Sequence, residues 1–169
     1  MTRLFAWRIG ENMTNIIRVN AVHHTGISVR NLDTAVQFYK DLFGIEPVFI
    51  HDSSGPEIDR AHLGQLVNVP TPDIRFAFMK VGNTSFELME YRQPRGKAFD
   101  RHNNDVGVMH LCFEVESIDA TQATLKTQDI TFTAEPIRLT SGPFAGCAFA
   151  YFWGHDGLMF EVFEVPKGL

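Results

Sequence analysis

A pattern that occurs twice constrains this chain more than any other feature of its sequence. The stretch from His24 reads HTGISVRNLD, and the stretch from His110, 86 residues later, reads HLCFEVESID. In each stretch an apolar residue and an Asp stand eight and nine positions after the His. A second echo, FELME from Phe86 and FEVFE from Phe160, has a spacing of 74 residues. The repeats predict two modules of the same fold, each with a His near its start and a Glu near its end.

The hydrophobic pattern predicts the same order of elements in both modules. The first is predicted to hold a strand, a helix and three further strands at 22–29, 31–43, 45–51, 74–81 and 84–91. The second is predicted to hold the same series at 108–115, 118–127, near 130–137, 147–153 and 158–165. Each module is thus βαβββ, and the fold class is α+β. Because one helix is too little to cover such a sheet, the two modules must pair to close a core.

The repeat also sets the domain organisation. We expect an N-terminal extension over 1–20 and a single domain over 21–169, made of modules at about 21–93 and 106–166. The distance from His to Glu is 63 residues in the first module and 51 in the second, and the extra residues fall in a polar loop at 52–73. A loop that is long in one copy only is predicted to be a lid or a substrate wall.

Composition and charge exclude several functions. The chain has 169 residues and a net charge of -5, and its basic residues form no run, which argues against binding to nucleic acid. No apolar run approaches the roughly 20 residues of a membrane helix. The two cysteines, Cys112 and Cys147, form no disulfide scaffold at this length. With no secretory signal in residues 1–19, a cytoplasmic location is expected.

Strand alternation places the repeated His and Glu on one face of each sheet. In both modules the apolar residues of the first and last strands face the helix, and the opposite face carries His24 with Glu87, or His110 with Glu161. A carboxylate among apolar residues is costly to bury unless a cation neutralises it. Two imidazoles and two carboxylates suit a divalent metal ion such as Ni, Zn, Co, Mn or Fe(II). Octahedral binding would leave two positions for water or substrate.

The remaining candidate residues of the second module are interpreted as structural. Cys112 is predicted to pack as a small apolar residue, and His155 to serve a turn at Gly154–Gly157. Tyr151 and its aromatic neighbours are predicted to belong to the core or to a pocket wall.

At the repeated residues the chain resembles the vicinal oxygen chelate superfamily, whose best-known member is glyoxalase I. The resemblance covers residues 21–166 and rests on three segments, HTGISVRNLDTAVQFYKDLFGIE, MHLCFEVESIDATQATLK and GHDGLMFEVFE. It implies an open barrel-like cup of two βαβββ modules, and commonly a homodimer. It also implies a divalent metal ion with four protein ligands: His24, Glu87, His110 and Glu161.

The resemblance further implies a type of chemistry on a small-molecule substrate. Enzymes of this family bind substrate oxygens at the metal and stabilise an enediolate, while a metal-linked Glu takes and returns a proton. Here that catalytic base would be Glu161 or Glu87. Three positions depart from the glutathione-dependent glyoxalase pattern: Ser28 stands for an Arg, Tyr91 for an Asn, and GHDG for DPDG. These departures disfavour a glutathione conjugate as substrate.

Four functions are therefore considered. The first is a metal-dependent isomerase or lyase of the glyoxalase I type that acts on a small molecule with vicinal oxygens. An acyl-CoA epimerase of the methylmalonyl-CoA kind needs the same proton transfer and follows closely. An extradiol-type dioxygenase would use His24, His110 and Glu161, but a fourth ligand at Glu87 leaves it fewer open metal positions. A non-catalytic drug-binding protein would leave the four ligand positions without a role.

Overall fold

The computed structural model describes residues 19–56 and 58–167, so nearly all of the predicted extension at 1–20 lies outside the described residues. The first module contains the elements β1 (Thr25–Val29), α1 (Leu32–Phe43), β2 (Pro47–Asp52), α2 (Arg60–Val67), β3 (Asp73–Val81) and β4 (Thr84–Gln93). Its four strands form one sheet in the order β1-β4-β3-β2. The first and last strands of the module pair in parallel, which sets His24 beside the strand that carries Glu87.

The second module repeats this topology. Its elements are β5 (Leu111–Val115), α3 (Ile118–Lys126), β6 (Ile137–Arg138), β7 (Ala148–Trp153) and β8 (Met159–Glu164). The strand order is β5-β8-β7-β6, with β5 and β8 parallel. The two mixed sheets do not close on each other. The predicted α+β class and the paired βαβββ modules are confirmed.

The start of α1 explains part of the repeated pattern. The Asn31 side chain accepts a hydrogen bond from the Thr34 N–H at 2.9 Å and so caps the helix. Gly44 ends it in the left-handed region at φ 65°. Asp33, the Asp of the repeat, binds the Arg75 guanidinium through two hydrogen bonds of 2.9 and 3.0 Å. The Asp of the first repeat therefore ties the helix start to the sheet.

The second copy of the pattern is used in the same way. Ser117 caps α3 by accepting a hydrogen bond from the Ala120 N–H at 3.2 Å. Asp119 accepts a hydrogen bond of 2.6 Å from Arg138 on the edge strand of its own sheet. The Asp of each repeat is thus a structural residue.

The second Glu of each echo binds the N-terminus of the helix in its own module. Glu90 is 5% exposed, and its carboxylate accepts a hydrogen bond of 3.2 Å from the Leu32 N–H, at the first residue of α1. Glu164 accepts one of 2.7 Å from the Ile118 N–H, at the first residue of α3. A carboxylate at a helix N-terminus is stabilised by the free N–H groups and the helix dipole. Each FExxE echo therefore supplies one Glu for each face of its sheet.

Two predicted elements differ from the structure. The strand expected near 130–137 is reduced to Ile137–Arg138, preceded by an isolated bridge between Phe132 and Phe152. Pro136 has no N–H to donate, which breaks a continuous ladder at this point. The segment at 52–73, expected to be a polar loop, holds a helix, α2, which is capped by Asp59.

Both modules contribute to one hydrophobic core. The buried Tyr39 of α1 has its ring 4.9 Å from that of Phe86 in the first sheet and 6.0 Å from that of Phe160 in the second. Phe43 stacks on Phe113 of β5 at 4.4 Å. A helix of the first module thus packs on the sheet of the second, as expected for modules that cannot close a core alone. Within residues 19–56 and 58–167, none of the helices is long and apolar enough to cross a membrane.

Candidate metal centre

The first predicted ligand pair lies at the start of the first sheet. His24 directly precedes β1, and Glu87 sits in β4 opposite Gly26. The His24 Nε2 lies 3.9 Å from a Glu87 carboxylate oxygen, and the two side chains are 39% and 20% exposed. Phe78 faces Glu87 from β3, and its ring is 5.9 Å from that of His24. The structure therefore brings His24 and Glu87 together on an accessible surface.

The second pair occupies the equivalent place in the second sheet and is closer. The His110 Nε2 is 2.8 Å from a Glu161 carboxylate oxygen, and the side chains are 38% and 12% exposed. Cys112 of β5 and Tyr151 of β7 are the strand partners of Glu161 on its two sides. The Tyr151 ring lies 5.5 Å from that of His110. The second pair is thus a preformed imidazole–carboxylate contact.

The surroundings of the two glutamates differ. Burial, together with the charge of Glu161 and a hydrogen bond to it, raises the pKa of the Cys112 thiol to about 12. The same causes raise the pKa of the Tyr151 phenol to about 12. At the equivalent positions Glu87 has Gly26 and Phe78, which offer no side-chain donor. The strand partners of Glu161 are therefore both proton donors, whereas those of Glu87 are not.

Sequence reasoning missed these two neighbours of Glu161. Tyr151 was assigned to the core or a pocket wall and Cys112 to packing on the face of His110, and neither was linked to Glu161; both are strand partners of that residue. The signal was available in the strand register, because residues directly opposite a functional Glu share its face.

The two His–Glu pairs do not meet within the chain. Among residues 19–56 and 58–167, no three His, Cys, Asp or Glu side chains lie close enough to hold one metal ion. The modules touch where the Arg30 N–H, after β1, donates a hydrogen bond of 2.9 Å to Asp156, in the turn before β8. His24 lies at the other end of β1, about 20 Å away for an extended strand that rises roughly 3.3 Å per residue. Each module therefore carries half of the predicted ligand set.

The packing of the two modules keeps the two His–Glu pairs apart. The Tyr39 hydroxyl lies 3.3 Å from a His155 ring nitrogen, and Tyr39 and Phe160 are 0% and 1% exposed between the modules. Bringing the two pairs together within one chain would require this core to open.

The donor atoms fit a divalent metal ion of the borderline class. Each pair offers an imidazole nitrogen and carboxylate oxygens on a partly exposed surface, and such mixed donors bind Zn, Ni, Co, Mn or Fe(II). A cation would also relieve the cost of Glu161, which is 12% exposed beside a thiol and a phenol.

A wide groove runs along β1 and the segment that leads into β5. Its volume is about 1320 Å³, and its walls include His110, the β1 edge at Thr25–Arg30, residues 94–101 of the linker and the segment 68–70. The last of these ends the long loop of the first module. That the loop acts as a substrate wall stays a prediction, and its position beside the groove agrees with it.

The architecture has clear counterparts among solved structures. A glyoxalase family protein from Bacillus cereus superposes with a TM-score of 0.72 at 18% identity, covering 90% of this chain and 98% of that protein. FosX, a fosfomycin resistance protein of Listeria monocytogenes solved with Mn(II) and sulfate, gives a TM-score of 0.57 at 14% identity, covering 89% and 96%. The fold is therefore that of the glyoxalase class.

A sequence profile makes the assignment specific. The profile of the Glyoxalase/Bleomycin resistance protein/Dioxygenase superfamily matches residues 21–162, and the chain belongs to this superfamily. The chain is 32% identical over 152 residues to 2-epi-5-epi-valiolone epimerase from an Actinomyces species, across 88% of this chain and 81% of that protein. It is 25% identical to human mitochondrial methylmalonyl-CoA epimerase, across 74% of this chain and 63% of that protein. Both of these relatives are epimerases.

Proposed function

We propose that this protein is a divalent-metal-dependent epimerase that inverts a carbon next to a carbonyl group in a small molecule with vicinal oxygens. The carrying observation is the pair of matched His–Glu contacts, His24 with Glu87 and His110 with Glu161, in a chain whose relatives are epimerases. Epimerisation belongs to the isomerase group of the predicted reactions. It requires removal of a proton from carbon and its return to the opposite side.

The residues that would hold the metal ion are His24, Glu87, His110 and Glu161. When bound, a divalent cation would polarise the substrate oxygens and so acidify the neighbouring C–H bond. The protein's own part is the proton transfer. A carboxylate on the partly exposed face would take the proton and leave a planar enolate, and delivery of a proton to the other side would invert the carbon.

The structure suggests different tasks for the two glutamates. The Glu161 carboxylate faces His110, Cys112 and Tyr151, which can donate hydrogen bonds to it and hold it in place. Glu87 lies beside Gly26 and Phe78 and has His24 at 3.9 Å, so its carboxylate is freer to reorient. We infer that Glu87 is the more mobile proton acceptor and that Glu161 is the more firmly positioned ligand.

The proposal includes a homodimer, because one chain carries two separate half-sites. A two-fold pair of chains could combine the His24–Glu87 half of one copy with the His110–Glu161 half of the other, twice per dimer. This arrangement leaves the shared core of each chain intact.

A solvent-exchange experiment tests the reaction. The purified protein would be incubated in D2O with 2-epi-5-epi-valiolone and, separately, with methylmalonyl-CoA, and NMR would follow inversion and the entry of deuterium at the epimerised carbon. Metal content would be measured on the same sample. We expect deuterium at one carbon of an accepted substrate and its loss after chelation of the metal.

Variants separate the site from the rest of the surface. Glu87→Gln and Glu161→Gln should each lower the exchange rate by about 100-fold or more, as expected for loss of an acid–base group. Glu116→Gln removes an exposed carboxylate outside the His–Glu pairs and should leave the rate unchanged. Equal rates in all three variants, or a metal-free protein that still exchanges deuterium, would refute the proposed mechanism.

A further inference from the structure

The groove along β1 carries an uncommon concentration of positive charge for this chain. Three exposed cations of the linker, Arg95, Lys97 and Arg101, line it, whereas the protein as a whole has a net charge of -5. Arg30 also lines it, but this side chain lies 3.7 Å from Asp156. Among the residues that the structure describes, the three linker cations have no acidic partner.

The acidic residues nearby do not cancel this charge. Asp156 already accepts the hydrogen bond from the Arg30 N–H and faces its guanidinium. Asp105 accepts a hydrogen bond of 2.8 Å from the His102 N–H within the linker itself. Asp100 is the remaining carboxylate in the wall of the groove. With Arg30 and Asp156 paired, three cations face one carboxylate, and the wall has an excess of two positive charges.

The three linker cations line the same groove as His110 of the candidate metal centre. The groove includes His110 in its wall, so a molecule whose reacting end reaches His110 has its remaining part beside the linker. A groove of about 1320 Å³ has room for more than a small chelating group. Arg guanidinium groups bind phosphate and carboxylate oxygens through paired hydrogen bonds, and Lys adds a point charge.

We propose that Arg95, Lys97 and Arg101 form an oxyanion-binding wall that recognises a phosphate or carboxylate tail of the substrate. This inference rests on the proposed function for the identity of the ligand as a substrate, but the wall itself can be tested by binding alone. A substrate with such a tail is retained by the linker, while its vicinal oxygens lie at the His–Glu pair.

Phenyl phosphate, phthalate and phenol are suitable probes, because they share a ring and differ in their anionic group. Isothermal titration calorimetry at low salt should show that phenyl phosphate, phthalate or both bind more tightly than phenol. The tighter of the two anions identifies the tail as phosphate or carboxylate. Raising the salt concentration should weaken the binding of the anions and leave that of phenol nearly unchanged.

The triple variant R95Q/K97Q/R101Q should bind the preferred anion about tenfold more weakly, the sum of three exposed charge interactions. The matched control K80Q/K126Q/K167Q removes the same charge from exposed positions outside the groove and should bind within about twofold of the wild type. Equal loss in both variants, or anions that bind no better than phenol, would overturn the proposal. None of the probes has a carbon that epimerises, so this result is independent of the deuterium experiment.

Discussion

Exchange of half-sites between two chains gives the sharpest test of the candidate metal centre. His24→Ala removes a ligand from the first half-site, and His110→Ala removes one from the second. The chains would be co-expressed with two different affinity tags and purified through both, so that every dimer holds one chain of each kind. If ligands combine across the dimer, one of its sites receives both intact half-sites and the other receives neither.

The amount of metal that the mixed dimer should bind follows from the separation of the two half-sites. His24 lies at the end of β1 opposite Arg30, about 20 Å from the contact between Arg30 and Asp156, since each strand residue rises roughly 3.3 Å. A site built across two chains therefore predicts that the mixed dimer binds about half of the wild-type amount of metal, because each two-fold dimer has two equivalent sites. A site within one chain predicts no recovery, since every chain lacks one histidine.

The assay is equilibrium dialysis with Co(II) or Zn(II), followed by elemental analysis. Dimers with both tags but with His24→Ala in both chains serve as the control and should bind little metal. Mixed dimers that bind no more metal than this control would refute sharing between chains. A wild-type protein that binds no metal would refute the metal centre itself.

Three further predictions concern packing and local electrostatics. Gly154→Ala would place a methyl group against the Phe160 ring and should lower the free energy of unfolding by about 1–3 kcal/mol, measured by urea denaturation. Gly96→Ala is the control, because the space around Gly96 is open, and it should change the free energy of unfolding little. Because the charge of Glu161 contributes to the raised pKa of Cys112, Glu161→Gln should speed labelling of this thiol by a disulfide reagent at pH 8 in a metal-free buffer; an unchanged labelling rate would contradict that coupling. Burial lowers the pKa of His155 below 6.5, so the unfolded chain takes up the proton first, and stability should fall as the pH drops through 6.5 towards the folded value. His155→Gln should flatten this part of the stability curve, and a profile identical to that of the wild type would show that another group causes the loss.

The sequence was sufficient for the parts of the site that lie within one module. Alternation places His24 and Glu87 on one face of the first sheet, and His110 and Glu161 on one face of the second. The parallel pairing of the first and last strands, which the structure shows, brings each pair together. These contacts depend on strand period and local register, which the pattern of apolar residues determines.

The relation between the two pairs could not be predicted in this way. It depends on how α1 packs on the second sheet, and Tyr39 and Phe43 make that contact with residues far away in the chain. The same apolar pattern is compatible with other pairings of the modules. The shortening of β6 was also not predicted. The residues before it favour a strand, but Pro136 has no N–H to donate to a neighbouring strand.

The paired carboxylates on β4 have a consequence for the accuracy of folding. Glu87 and Glu90 lie on opposite faces, and a shift of the strand by one residue would exchange them. The shifted strand would bury Glu87 under a helix without its partner and would turn Glu90 away from the Leu32 N–H. The misaligned strand would therefore lose favourable contacts on both faces of the sheet. Glu161 and Glu164 disfavour the same shift in β8. The spacing of these acids thus protects the alignment of the strands that carry the site.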